Sequence, residues 1–183
     1  MENIMCQLCE TKPVYEFTNK RKLCKTCFIK WFQKKVLYTI RKFNMIKSGE
    51  IIAYKKGNKI NEVVLENILK MYSEKGHVTI KEKTQNSKLK IAIPTNADTE
   101  THAIIDELFN SKLKNHNPVN QKIIKPLYLF LNKEILLYAK LKNLKFNKIK
   151  KEKNKLKDFV NQLEKKHPEL KQAVIKNWLG LKK

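Results

Sequence analysis

All four cysteines of this chain lie within its first 27 residues, in two Cys-x-x-Cys pairs, Cys6/Cys9 and Cys24/Cys27. A turn of that spacing brings two thiols to about 3.5–4 Å, and two such turns close a tetrahedral shell of four sulfurs around one ion. Fourteen residues separate the pairs and no cysteine is left over, so chance is a poor account of the pattern. The spacing predicts one structural metal site, with zinc the expected ion. A closed shell with no fifth ligand beside it stabilises a fold and leaves no position open for a substrate. Bound metal would supply folding free energy to a segment too short to build a core alone. Two disulfides and an iron–sulfur or redox centre are the competing readings of the same four residues.

Charge is the second chemical signal. Forty Lys and Arg against seventeen Asp and Glu leave a net charge of +23 on 183 residues. A field of that sign selects polyanions, nucleic acid above all. An anionic membrane surface fits less well, because the chain carries no lipidation motif and no membrane role is expected. The start, Met1-Glu2-Asn3, is acidic and leads into no apolar h-region, so no signal peptide is expected. The apolar run Leu127 to Leu131 is far too short to span a bilayer. A cytoplasmic setting follows, and its reducing conditions favour metal over disulfide. Lysine far outnumbers arginine, and Asn and Ile are abundant. That is the habit of AT-rich coding, so part of the charge is compositional.

The length allows one modest domain with appendages. Residues 1–27 form a knuckle around the cysteines. Phe28 to Phe43 follows as an amphipathic helix, with Phe28, Phe32, Val36, Ile40 and Phe43 on one stripe. Lys30, Lys34, Lys35, Arg41 and Lys42 occupy its other faces. They are candidates to lie on a phosphate backbone, against the plainer reading of a docking helix with a solvated basic face. Ser48-Gly49 ends the helix, and Glu50 to Tyr54 reads as a buried strand. A turn around Gly57 leads to a helix from Asn61 to Ser73. Strands are expected at His77 to Glu82 and Lys88 to Ile93, then a helix from Thr99 to Leu113 with Asp98 as N-cap. This order predicts a partly parallel α/β layer of about three strands. After Pro126 the pattern is helical, at 132–141, 150–166 and 168–179, with Pro168 suited to a first turn. Lys140 to Lys157 holds nine lysines and one acid, Glu152, yet Leu141, Leu144, Phe146 and Ile149 recur as packing residues. Three regions result: knuckle and basic helix at 1–46, α/β domain at 47–126, and a helical lysine-rich tail at 127–183.

Taken in order, these segments resemble the TtuA-like tRNA 2-thiolation enzymes of the PP-loop (adenine-nucleotide alpha hydrolase) superfamily. That family opens with a zinc knuckle and an aromatic basic helix, matched here by Cys6–Cys27 and FIKWFQKKVLYTIRKF. Its GHNLDDEAET-like segment is matched by Pro94-Thr95-Asn96-Ala97-Asp98-Thr99-Glu100-Thr101. Its RPL…E…YA stretch appears as Lys125-Pro126-Leu127, Glu134 and Tyr138-Ala139, and its LxxLE..xP.xK tail is echoed from Phe159 to Lys171. The resemblance implies a reduced Rossmann-like sheet and tRNA as partner, with Asn96, Asp98 and Glu100 in the place of the adenylation-site acids.

The departures bear on activity. The family loop SGGKDS falls on Lys55-Lys56-Gly57-Asn58-Lys59-Ile60, where Gly57 alone survives. Such a loop normally offers backbone N–H groups and a hydroxyl to pyrophosphate. The histidine of the acid segment is Thr95, the family's cluster-binding internal cysteines are missing, and so is its C-terminal zinc module. The stretch between loop and acid segment is short enough that one or two sheet strands must be lost. The resemblance therefore implies a zinc-containing tRNA-binding protein that is a catalytically inactive accessory subunit, in complex with an active PP-loop paralog. The alternatives are a minimal active sulfurtransferase or ATP-binding enzyme, with Asp98, Glu100 and Asp106 on magnesium, and a zinc-knuckle protein of another nucleic-acid system. His77, His102, His116 and His167 show no HxxxH or HExxH pairing and read as surface or packing residues. Trp31 and Trp178 read as core anchors.

Overall fold

The computed structural model describes residues 5–76, 78–82, 89–111, 114–147 and 155–180. Strands β1 (Tyr15–Glu16) and β2 (Lys22–Leu23) pair antiparallel in the N-terminal knuckle. Helix α1 (Lys25–Lys42) begins directly after Cys24 and buries Phe28, Phe32, Val36 and Ile40. Four-residue spacing stacks these side chains on one face. The helix continues the knuckle without a linker, so the cysteine cluster and the basic face share one continuous element.

The main sheet contains β3 (Ile51–Tyr54), β4 (Thr79–Glu82), β5 (Lys90–Ala92), β6 (Val119–Asn120) and β7 (Ile123–Ile124), in the order β4-β3-β5-β7-β6. All neighbours are parallel except the β6–β7 hairpin at the edge. Five strands replace the expected three or so. The hairpin strands are two residues each, too short to leave an alternating pattern in sequence. Helix α2 (Ile60–Glu74) connects β3 to β4 on one side, and α3 (Ala97–Phe109) leads from β5 toward β7 on the other. The strand order thus reverses between the parallel β3 and β5, and the crevice beyond their C-terminal ends is where open α/β sheets take ligands.

Helices α4 (Asn132–Leu141), α5 (Lys155–Lys166) and α6 (Leu170–Gly180) complete the chain. The expected 150–166 helix is described only from Lys155; residues 150–154 lie outside the described set. One hydrophobic core joins the knuckle, α1, α2 and α4 to the sheet. Its centre is aromatic: Phe32 stacks on Tyr138 at 4.1 Å and meets Phe130 at 4.3 Å. A second, smaller core packs α3 and α6 around Tyr128 and Leu131. Asn96 caps α3, accepting from Thr99 N–H at 3.0 Å. The expected N-cap, Asp98, lies inside the first turn instead, where its carboxylate accepts from Asn132 N–H and Lys171.

Candidate metal centre and switch-point crevice

The four cysteine sulfurs lie within 4.8 Å of one another, although they come from two separated turns. The first turn is closed by Cys6 N–H donating to the Thr11 carbonyl and Glu10 N–H to the Cys6 carbonyl, both at 2.9 Å. Glu10 adopts the left-handed conformation this needs, at φ 58°. The second turn is the start of α1, where Phe28 N–H donates to the Cys24 carbonyl. Cys9 Sγ stands 3.4 Å from Cys24 Sγ and 3.5 Å from Cys27 Sγ, with no pair bonded. A zinc–sulfur bond of about 2.3 Å implies tetrahedron edges of about 3.8 Å. The shell is therefore sized for a single ion, and its all-thiolate donors fit a soft metal.

Electrostatics within the shell are uneven. The Thr11 hydroxyl and the Cys27 backbone N–H pull the Cys24 thiol down to about 6. The Cys9 side chain and burial push Cys27 up to about 12. Sulfurs this close cannot lose their protons independently, and a cation among them removes that conflict.

The basic face of α1 divides. Lys30, Lys34, Arg41 and Lys42 are exposed. Lys35 is not on that face. It turns inward to pair with Glu134 at 3.0 Å and sits over the rings of Trp31 and Phe130 at 4.8 and 4.5 Å. Burial pulls its pKa down despite the opposing effect of Glu134.

At the switch point, Lys55, Lys56, Asn58 and Lys59 are exposed and Gly57 is partly covered. The space over Gly57 is taken by the Glu62 carboxylate, which would collide with any Cβ at position 57. Glu62 also accepts from Lys59 N–H at 3.0 Å. A side-chain anion from α2 thus occupies the positive end of its own helix. The Asn58 carbonyl is held by Asn147 N–H at 2.8 Å, from the segment after α4.

The acid segment is consumed by internal partners. Asn96 donates to the Asn132 side chain at 2.6 Å. Asp98 accepts from Asn132 N–H at 2.7 Å and from Lys171 at 2.5 Å, and Lys171 also pairs with Glu164 at 2.7 Å. Glu100 pairs with Lys125 at 2.8 Å and His116 at 3.0 Å, while the other His116 nitrogen meets Glu107 at 2.8 Å. These carboxylates tie α3 to α4, α6 and the β6–β7 region. Sequence reasoning missed Lys125, Lys171, His116 and Glu107 as buried or half-buried partners. His102 is half-buried and held below its ordinary pKa by burial, and His167 is exposed. His77 lies outside the described residues. Trp178 is buried in the second core, and Trp31 packs in the aromatic cluster with Tyr15, Phe17 and Phe28.

The chain matches no family model and no curated protein sequence. Its fold is shared with a solved structure, the U34-tRNA thiolase NcsA from Methanococcus maripaludis with its [4Fe-4S] cluster. The match has a TM-score of 0.79 at 19% identity and covers 99% of this chain and 88% of that one. The architecture is thus the α/β fold of that structure, with a cluster of four cysteines at its N-terminus. Among the described residues, no helix is long and apolar enough to cross a membrane.

Proposed function

We propose that this chain is a tRNA-binding relative of the 2-thiolation enzymes that carries zinc in its knuckle and has no adenylation chemistry of its own. The observation that carries this reading is the Glu62 carboxylate against Gly57, at the helix end where a pyrophosphate would bind in a working loop. Bringing a nucleotide there means setting two anions against each other or displacing Glu62. The internal pairing of Asp98 and Glu100 supports the same conclusion, because neither carboxylate is left for magnesium. Zinc is favoured over a cubane cluster by the compact four-sulfur shell; a cube of irons and sulfides would spread its ligands wider. The exposed Lys30, Lys34, Arg41 and Lys42 supply the RNA surface in the cytoplasm, and an active PP-loop paralog is the proposed catalytic partner.

Calorimetry with the full-length, metal-loaded protein tests the core of this. MgATP is expected to give no saturable heat, while tRNA binds with a steep salt dependence. Micromolar MgATP affinity would refute the inactive assignment and favour a minimal enzyme.

A further inference from the structure

A groove of about 410 Å³ runs along the seam between the knuckle and α1, a size suited to a nucleotide-scale ligand. Leu8 and Arg21 belong to its knuckle side, and Cys27, Lys30, Trp31, Lys34 and Tyr38 to α1. None of the lining residues is acidic. Tyr38 is 50% exposed, a large ring left in water in a groove that Arg21, Lys30 and Lys34 also line. Lys42 lies 5.6 Å from the centre of the same ring. Lys35 also lines the groove, but Glu134 already neutralises its charge.

An exposed aromatic ring among cations, without a carboxylate, matches the chemistry of an unpaired nucleotide. The base stacks on the ring while the flanking phosphates take the cations. A duplex keeps its base faces inside the stack, so it can use the cations and not the ring. We propose that this groove binds an unstacked nucleotide of an RNA loop or single strand, with its base on Tyr38 and its phosphates on Arg21, Lys30 and Lys34. The inference rests on the RNA reading above and names the form of RNA recognised. Cys27 is both a wall of the groove and a member of the metal shell, so groove and metal stand together.

The test measures fluorescence anisotropy with the full-length, metal-loaded protein, comparing a single-stranded RNA with a blunt duplex of equal total charge. Tyr38→Leu is expected to weaken the single strand between about fivefold and about a hundredfold, the span of base–aromatic stacking. On the duplex the same change should cost less than about twofold, and Tyr38→Phe should bind both RNAs like the parent. If Tyr38→Leu proves poorly folded, Lys30→Gln with Lys34→Gln replaces it. That pair should lower the magnitude of the single-strand salt slope by about 1.4. Equal losses on both RNAs, no loss on either, or an unchanged slope would overturn the groove while leaving salt-dependent tRNA binding in place. Failure to bind either RNA overturns both readings. Displacement of the single strand by an acidic peptide of matched charge, at equal concentration, would assign the groove to a protein partner instead.

Discussion

Lys171→Met is the sharpest test of the claim that the acid segment is structural. Lys171 is 3% exposed, and its ammonium is shared among Asp98, Glu164 and the Asn161 side chain at 3.0 Å. Burial opposes its charge, yet Asp98 and Glu164 hold its pKa above the ordinary lysine value. Methionine keeps much of the apolar stem and removes the charge. Glu164 is partly exposed and can rehydrate. Asp98 cannot: it stays buried, with the Asn132 N–H as its remaining named donor. Stranding one member of a buried pair costs about 3–5 kcal/mol. At about 2–4 °C per kcal/mol for a chain of this size, the midpoint should fall by about 6–20 °C. Urea unfolding followed by circular dichroism measures the loss. Combining Asp98→Asn with Lys171→Met should recover part of it, because the double variant strands no charge, and the cycle should show coupling above about 1 kcal/mol. A loss below about 1 kcal/mol, or strict additivity, would refute the structural assignment and return Asp98 to the list of candidate chemical groups.

Three further outcomes are expected. Elemental analysis should find one zinc per chain, and Cys24→Ser should selectively loosen the N-terminal segment in hydrogen exchange, since metal binding carries folding free energy; less than about half an equivalent of zinc, or iron in its place, contradicts this. Reversing Lys30, Lys34, Arg41 and Lys42 to Glu should weaken tRNA binding by more than about tenfold, against a parental log–log salt slope of about −4 to −7. Helicity should persist, because the buried stripe is untouched, and an equal loss from a matched reversal within residues 140–157 would reduce the surface to bulk charge. The Glu50 carboxyl is held below its ordinary value: burial would raise it, but hydrogen bonds from Lys90 and Lys47 prevail. Its stabilising effect is therefore full above the unfolded value near 4.5 and is lost as pH falls through the lower folded value. Denaturation from pH 6 to 3 (roughly the window this linkage spans) should be shallower in Lys90→Met, and an unchanged pH slope would contradict the pairing.

What the sequence made legible was local. Two short cysteine turns and the four-residue stripe Phe28, Phe32, Val36, Ile40 are patterns that one element carries alone. The helices after β3 and β5 were visible for the same reason, apart from the shift of the α3 cap from Asp98 to Asn96. The edge hairpin was not, since Val119–Asn120 and Ile123–Ile124 are strands only through pairing with each other and with β5. Nor could type identify the buried lysines. In a chain with forty basic residues, Lys35, Lys125 and Lys171 look like any solvated lysine until a carboxylate distant in sequence is brought to each. The Glu62 carboxylate over Gly57 belongs to the same class, a contact fixed by three dimensions.

That carboxylate acts as a tethered competitor as well as a steric block. Even a flexible tether gives a linked group an effective concentration in the millimolar range, and Glu62 is held by a formed helix at its binding position. Any free anion competing for the loop would meet an opponent that never diffuses away. The loop's apparent affinity for nucleotide would then be lowered, and its state would respond less to nucleotide supply. On the proposed function, RNA binding would then depend little on nucleotide supply, and the proposed partner would set its timing.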